Sequence, residues 1–469
     1  MPSLAIAGPS YGLRNRAADV QRCINWMPVQ IESGVGKGGQ QAYLKQAPGK
    51  VVAASLGAEV RGMITSRGVL YAVAGPSLLR VNADWSTSFV GTIASASGPV
   101  GLADNRTQIC ITDGASGYVY DLDTGSMTAL SGAWLGSARV DVLDGYGVFH
   151  KPGDWTLYTS AQQDFTTLNA LDFGSAESST GSIVAIIVKH RELIVLKERT
   201  GEIWYDAGNA EGIALSPNTG SPIEAGCIAP FSLQKMAGLA LWLGQDERGT
   251  GIVYAMQAYQ PQRVSNHALE EALSALTAEQ MAGARAYTYH QEGLSFYVLQ
   301  VPGLTTTWVY ELAAGIWHER AEMVDGAWAQ DLGTCHAMAY GHHVVGTDDG
   351  RLLRLDQTVN TSAGRYMVRE RTTPHNAAPE LSRKRFGSLQ VDCSVGQGLS
   401  GGQGVLMLQH SNDGGNTWSS WRDLPLGRIG EYVARARATM LGSARDRVWR
   451  IRVSDDVRCE PVAMVVDER

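Results

Sequence analysis

The sequence is poor in charge, sparing with cysteine and without a long apolar run. Only 18% of its 469 residues are Asp, Glu, Lys or Arg, below the roughly one quarter of an average domain. A protein of exposed helices would carry more Lys, Glu and Ala. The six cysteines, Cys23, Cys110, Cys227, Cys335, Cys393 and Cys459, show no Cys-x-x-Cys spacing. That argues against a zinc knuckle or a disulfide framework and for reduced, mostly buried thiols made in a cytoplasm. No apolar stretch approaches the roughly 20 residues of a membrane span. The short apolar patch ahead of Arg14 and Arg16 has the wrong order for a signal peptide. A soluble chain that is not exported by the usual route is therefore expected. Basic excess is lacking too: the formal net charge is −7, whereas a surface gripping DNA needs Lys and Arg against phosphates. The stretch from Arg428 to Arg452, with Arg435, Arg437, Arg445, Arg447 and Arg450 inside it, is interrupted by Glu431 and Asp446. It reads as a solvated strand face or a protein interface rather than a nucleic-acid site.

Catalytic motifs are missing as well. There is no phosphate-binding Gly-x-x-x-x-Gly-Lys-Ser/Thr loop, no dinucleotide fingerprint and no Gly-x-Ser-x-Gly elbow. A glycosidase needs two carboxylates opposed across a cleft. Acids and tyrosines are plentiful, for example Glu202, Tyr205, Asp206 and Glu311; most fall at strand ends, where they are expected to be solvated, and no two pair by spacing. His336, His342 and His343 lie close to Asp348 and Asp349, but neighbouring residues of a strand point to opposite faces, which disfavours a metal site. No catalytic residue, metal ligand or cofactor is assigned.

What the sequence does have is glycine, 54 of them, and turns. Asp113-Gly114, Asp144-Gly145, Asp325-Gly326, Asp349-Gly350 and Asp413-Gly414 each sit between short alternating apolar runs, a strong hairpin signal. Marking the best strand of each segment gives Arg80, Tyr120, Tyr158, Tyr205, Tyr254, Tyr310 and Arg354, which are 38 to 56 residues apart. A period in the forties with about four strands per unit is that of β-propeller blades. The fold class is all-β: a propeller of about seven blades, with Trp204, Trp242, Trp308 and Trp317 read as packing between blades. The widest gap holds apolar residues at helical spacing from His267 to Leu273 and on to Met281, a short helical insertion.

Residues 1–45 read as an extended arm, which supplies a closing strand to the ring or reaches a neighbouring subunit. The propeller is expected over 46–365 and a β-sandwich-like domain over 366–469. In the latter, Arg383-Lys384-Arg385 is a short basic link before strands at Ser388–Val395, Gly404–Gln409, Tyr432–Met440 and Arg447–Val453. Ser411 to Trp418 matches the Asp-box pattern Ser-x-Asp-x-Gly-x-Thr-Trp, a folding hairpin in which Asp caps the turn and Trp packs beneath it. From exposure, the candidate partner interface is His267, Glu270 and Glu271 on the helix, the arm, and Arg383, Lys384 and Arg385.

A family resemblance covers nearly the whole chain in order, departing near 377–410. It is carried by Ala170-Leu171-Asp172-Phe173-Gly174-Ser175 running on to Val188-Lys189-His190-Arg191-Glu192-Leu193. Glu202-Ile203-Trp204-Tyr205, Ile223-Glu224-Ala225-Gly226-Cys227 and Leu241-Trp242-Leu243-Gly244 add to it. Gly251-Ile252-Val253-Tyr254 follows with Pro261-Gln262-Arg263-Val264-Ser265. Together they resemble the packaged-DNA stabilisation proteins of short-tailed bacteriophages, also called tail accessory or tail-hub proteins. The resemblance implies a subunit of a homohexameric ring in the virion tail, assembled in the bacterial cytoplasm. Portal and adaptor proteins would lie above it, and a tail needle or plug and tailspikes or fibres would dock on it. DNA would pass through the ring without specific binding, and no membrane is involved. The expected function is to close the exit channel after packaging and retain the genome. A tail-tip glycan-binding adhesin or a sialidase-like hydrolase is the alternative, and would show more Asp boxes and paired acids.

Overall fold

The computed structural model describes residues 3–33, 41–209, 211–246, 249–378, 380–393, 403–432 and 434–468. The described residues build seven blades, each a run of four antiparallel strands. Six span 60–92, 101–129, 140–175, 183–217, 234–263 and 285–324; the seventh joins 333–356 to Gly49–Ser55. Around the centre, the first strands Val60–Ser66, Gly101–Asp104, Val140–Leu143, Ile183–Lys189, Gln234–Met236, Arg285–Gln291 and Gly333–Ala339 neighbour one another in turn. The last returns to the first, so the ring is closed. All seven residues marked in the sequence lie on the third strand of their blade, from Arg80 in Ser77–Val81 to Arg354 in Arg351–Asp356.

Local chemistry explains the hairpins. Asp144 and Gly145 have φ of 48° and 93°, and Asp325 and Gly326 have 50° and 79°, the paired left-handed conformation that matches strand twist in a two-residue turn. The seams between blades are lined with aromatic rings: Phe149 and Tyr158, stacked within blade three with centroids 5.2 Å apart, pack against Cys110 and Val119 of blade two, and Trp134 from the intervening loop meets Phe149 edge-on at 5.3 Å. Trp204, Trp242, Trp308 and Trp317 are all buried in such seams. The insertion forms two short helices, α1 (His267–Leu273) and α2 (Ala278–Ala282).

The described residues of the stretch 1–45, expected as an extended arm, are built into the fold of their own chain. Ser3–Leu4 pairs with Pro461–Glu468, Val20–Ile24 pairs with Arg369–Thr372, and Trp26–Gln30 forms a hairpin with Ala42–Gln46. The reason is burial: Cys23, Trp26 and Leu44 enter the same core as Phe386, Leu389, Trp449 and Ile451. Residue for residue, the closing strand of the ring comes just after this stretch, at Gly49–Ser55, which runs antiparallel to Arg351–Asp356. The chain thus enters and leaves the propeller on neighbouring strands of one blade.

The C-terminal unit has two facing sheets. One orders Ser3–Leu4, Pro461–Glu468, Lys384–Cys393 and Ala436–Thr439. The other orders Val20–Ile24, Arg369–Thr372, Val448–Val453, Val405–Ser411 and Arg422–Pro425, and a parallel bridge from Ile24 to Glu319 continues it into the outer strand of blade six, Ile316–Val324. Propeller and sandwich therefore share a sheet. Lys384 and Arg385 belong to the strand Lys384–Cys393, pairing Ala444 and Ser443, so the expected basic link is the start of a sandwich strand. The end of the strand expected at Ser388–Val395, and Val433 within the one expected at Tyr432–Met440, lie outside the described residues.

Candidate functional site

Helix α1 begins at Asn266, whose side chain accepts a hydrogen bond from the Leu269 amide at 2.9 Å. Ala268, Leu269 and Leu273 face the blade core and are buried. The polar face is satisfied from within the chain. Glu270 accepts from Arg263 at 2.6 Å and from the Ser265 hydroxyl at 2.6 Å, Glu271 accepts from the Arg14 amide at 2.9 Å, and the His267 side chain is exposed beside Glu270. The helix is a packed component of the propeller that fastens the N-terminal segment. On the sandwich, Arg383 and Arg385 are exposed, while Lys384 is half-buried and paired with Glu468 at 3.3 Å. No hydrogen bond or ion pair joins the helix group to these three among the described residues.

The acids expected to be solvated divide in two. Tyr205 is exposed and Asp206 half-buried, but Glu202 and Glu311 are buried. Glu311 accepts from the Ala313 and Ala314 amides, and Glu202 from Ser178 and the Trp204 indole. Both work as turn and seam fasteners. His336 stacks on His343 with a ring-nitrogen separation of 3.1 Å. Burial, then His343 and His290, hold its pKa down at about 3, so His336 is neutral at ordinary pH, and burial lowers the pKa of His343 as well. Among the described residues no group of three or more His, Cys, Asp or Glu is placed to hold a metal ion.

The propeller centre contains a cavity of about 330 Å³ whose wall includes Arg61, Arg139 and Arg285. Arg61 donates to the Gly75, Ser95 and Gly98 carbonyls, and Arg285 pairs with Glu59 at 3.1 Å and Asp348 at 3.3 Å. These side chains fasten the strand ends around the axis.

A larger polar feature crosses the shared sheet. One register row runs Arg22, Thr372, Arg450 and Gln409, and the next runs Ile24, Glu370, Arg452 and Met407. Because strand side chains alternate, the intervening row of Cys23, Arg371, Ile451 and Leu408 points the other way, into the sandwich core. On the outer face, the Arg450 guanidinium lies 3.6 Å from the Trp418 ring centroid and that of Arg452 lies 4.8 Å from Trp421. Such stacking is worth about 0.5–2 kcal/mol, more as water is excluded. Arg22 binds Glu319 at 2.5 Å, and Glu370 serves both Arg452 at 2.5 Å and Arg450 at 3.7 Å. Burial lowers the Arg450 pKa, Glu370 raises it, and Arg452, Arg22 and Arg16 lower it further.

Trp418 is the last residue of the Asp box, whose geometry is that of a folding hairpin. The Asp413 carboxylate accepts from the Thr417 amide at 2.9 Å and its hydroxyl at 2.6 Å, Gly414 and Gly415 take φ of 68° and 85°, and the Trp418 indole donates to the Gly415 carbonyl at 3.0 Å. Arg16 of the N-terminal segment donates to the same Gly415 carbonyl at 2.6 Å. Of the basic stretch, Arg428, Arg435, Arg437 and Arg445 are exposed, as a solvated face requires. Arg447 departs from this: it is buried, with Phe386 and Trp449 under its guanidinium at 4.3 and 5.2 Å, and burial brings its pKa down to about 10.

Fold and surfaces together define a propeller–sandwich protein with a built ionic and aromatic seam between its two units. Residues 20–360 match the β-propeller of Bacteriophage P22 Gp10 and residues 370–467 match its β-sandwich. The chain belongs to this family of phage tail-hub, packaged-DNA stabilisation proteins, and is a structural protein of a bacteriophage tail. No curated protein matches it. Similar solved structures include the computationally designed Ika8 protein, at 12% identity and TM-score 0.38 over 65% of this chain and 99% of that one. The WD40 β-propeller domain of Doa1 is similar at 12% and 0.39, over 66% and 96%. PorZ of Porphyromonas gingivalis is similar at 13% and 0.39, over 80% and 46%. Among the described residues no helix is long and apolar enough to cross a membrane.

Proposed function

We propose that this chain is a non-enzymatic tail-hub subunit that closes the DNA exit channel after packaging, six copies forming a ring between the portal and adaptor above and the needle and spikes below. The observation that carries this reading is the family match of both units, in order and over almost the whole chain. The fold supports it mechanically. Incoming strand Gly49–Ser55 and outgoing strand Arg351–Asp356 are bonded neighbours, and blade six runs on into the sandwich. Load applied to either unit therefore passes through paired strands rather than a flexible tether. The cavity at the propeller axis, about 330 Å³, has no room for a duplex, so DNA would pass through the ring of subunits and not through a propeller. A net charge of −7 suits a wall that must later release its cargo. Six repeated interfaces resist dissociation well beyond any single one.

Phage particles assembled without the chain and separated by density gradient provide the test. Heads that fill and then empty, and that stay full when purified protein is added back, support the sealing role. Heads that remain full but fail to adsorb would move the protein to the tail tip and overturn it.

A further inference from the structure

We propose that the cavity beside Trp418 is a carboxylate-recognition site, taking the acidic side chains of a peptide segment from a protein partner. The cavity measures about 260 Å³ and opens where the N-terminal segment, the shared sheet and the Asp-box hairpin meet. Its wall holds Arg16, Arg22, Arg450, Thr372, Gly415 and Trp418, and no carboxylate is part of it. Four guanidiniums, those of Arg16, Arg22, Arg450 and Arg452, crowd this face against the two acids Glu319 and Glu370. Glu370 is divided between two arginines, facing Arg450 Nε at 3.7 Å, beyond hydrogen-bond distance, and among the described residues the Arg16 guanidinium meets only the Gly415 carbonyl. Positive charge is in excess at a point where water is partly shut out, which is where an added oxyanion gains most.

The occupant follows from size and charge. The cavity lies below the roughly 300–1,000 Å³ of pockets for drug-sized ligands, so it suits a side chain rather than a nucleotide or a glycan. A chain of net charge −7 repels a long polyanion, whereas one or two carboxylates meet only the local field. The planar Arg450 guanidinium, already fixed by stacking on Trp418, loses little freedom on pairing with a carboxylate. The site is complete within one copy of the chain and does not depend on ring formation.

The test is titration of the purified full-length chain with an Asp/Glu hexapeptide, its Asn/Gln counterpart and a short oligothymidylate, followed by calorimetry and tryptophan fluorescence. The acidic peptide is expected to bind in preference to both others, and to weaken roughly tenfold or more in Arg16→Gln and in Arg450→Gln. Arg450 packs on Trp418, so its replacement can disturb the hairpin; Arg16, which is exposed, carries the test even if that variant fails to fold. Equal affinity for the two peptides, tighter binding of the oligothymidylate, or unchanged affinity in a folded Arg16→Gln chain would each overturn the proposal.

Discussion

Lys50 carries a full charge where water does not reach it. It sits in the closing strand of the ring with its side chain 5% exposed, and its ammonium meets Glu322 at 2.8 Å, Asp331, and the Ser362 hydroxyl at 3.3 Å. Burial opposes the charge, but Asp331 and Glu322 outweigh it and hold the Lys50 pKa above its ordinary range. A raised pKa means that this stabilisation is fully present below the unfolded value of about 10.4 and is lost only as pH climbs through the folded one. At neutral pH the triad is intact. Lys50→Met is expected to cost about 3–5 kcal/mol, because it leaves two buried carboxylates uncompensated. Adding Glu322→Gln should recover part of that loss. The midpoints of urea unfolding at pH 7 measure both effects; a cost unchanged in the double variant would mean that lost packing, and not stranded charge, is responsible.

Among the elements, the closing strand is held by backbone proximity as well as by hydrogen bonds. Gly49 is needed there because a Cβ would collide with the Val359 carbonyl and lie 2.8 Å from that of Thr361. Backbone cannot swing aside as a side chain can, so Gly49→Ala should destabilise the chain by about 1–3 kcal/mol. Hydrogen exchange is expected to speed up together in Gly49–Ser55 and Arg351–Asp356 and to change little in blade three; faster exchange confined to residue 49 would count against a shared seam. The third strands of the blades were legible in the sequence because turn residues and alternation are local signals. The closure was not, because Gly49–Ser55 pairs across some 300 residues, and nothing in either segment names the other. Distance in sequence also hid the Trp418 site: Arg16, Arg22 and Arg450 come from opposite ends of the chain and meet only in the fold. The expectation of a solvated Glu202 and Glu311 failed for a different reason, since a carboxylate that accepts a backbone amide or an indole N–H can be buried.

For the whole molecule, the shared sheet decides whether there are one or two folding units. Chains of this size commonly unfold domain by domain, and the family match alone, one span for the propeller and one for the sandwich, suggests the same. The structure argues otherwise. Val20–Ile24 lies between Arg369–Thr372 of the sandwich and Ile316–Val324 of blade six, and Arg22 of that strand holds Glu319 of the blade. Asn25 donates to the Ala321 and Val368 carbonyls, one on each side. Cys23, Trp26 and Leu44, all fully buried, precede the propeller in sequence yet belong to the sandwich core. Removing the sandwich would expose them at roughly 1.5–3 kcal/mol for each large apolar side chain and strand one edge of the sheet. A chain cut after residue 360 is therefore expected to aggregate rather than yield an isolated propeller. Intact chain should unfold in one calorimetric transition, coincident by tryptophan fluorescence and far-ultraviolet dichroism. Two separated transitions, or a soluble and cooperative 1–360 fragment, would show that the sheet joins the units without coupling them, and the rigid load path argued for the tail hub would then rest on the seven blades alone.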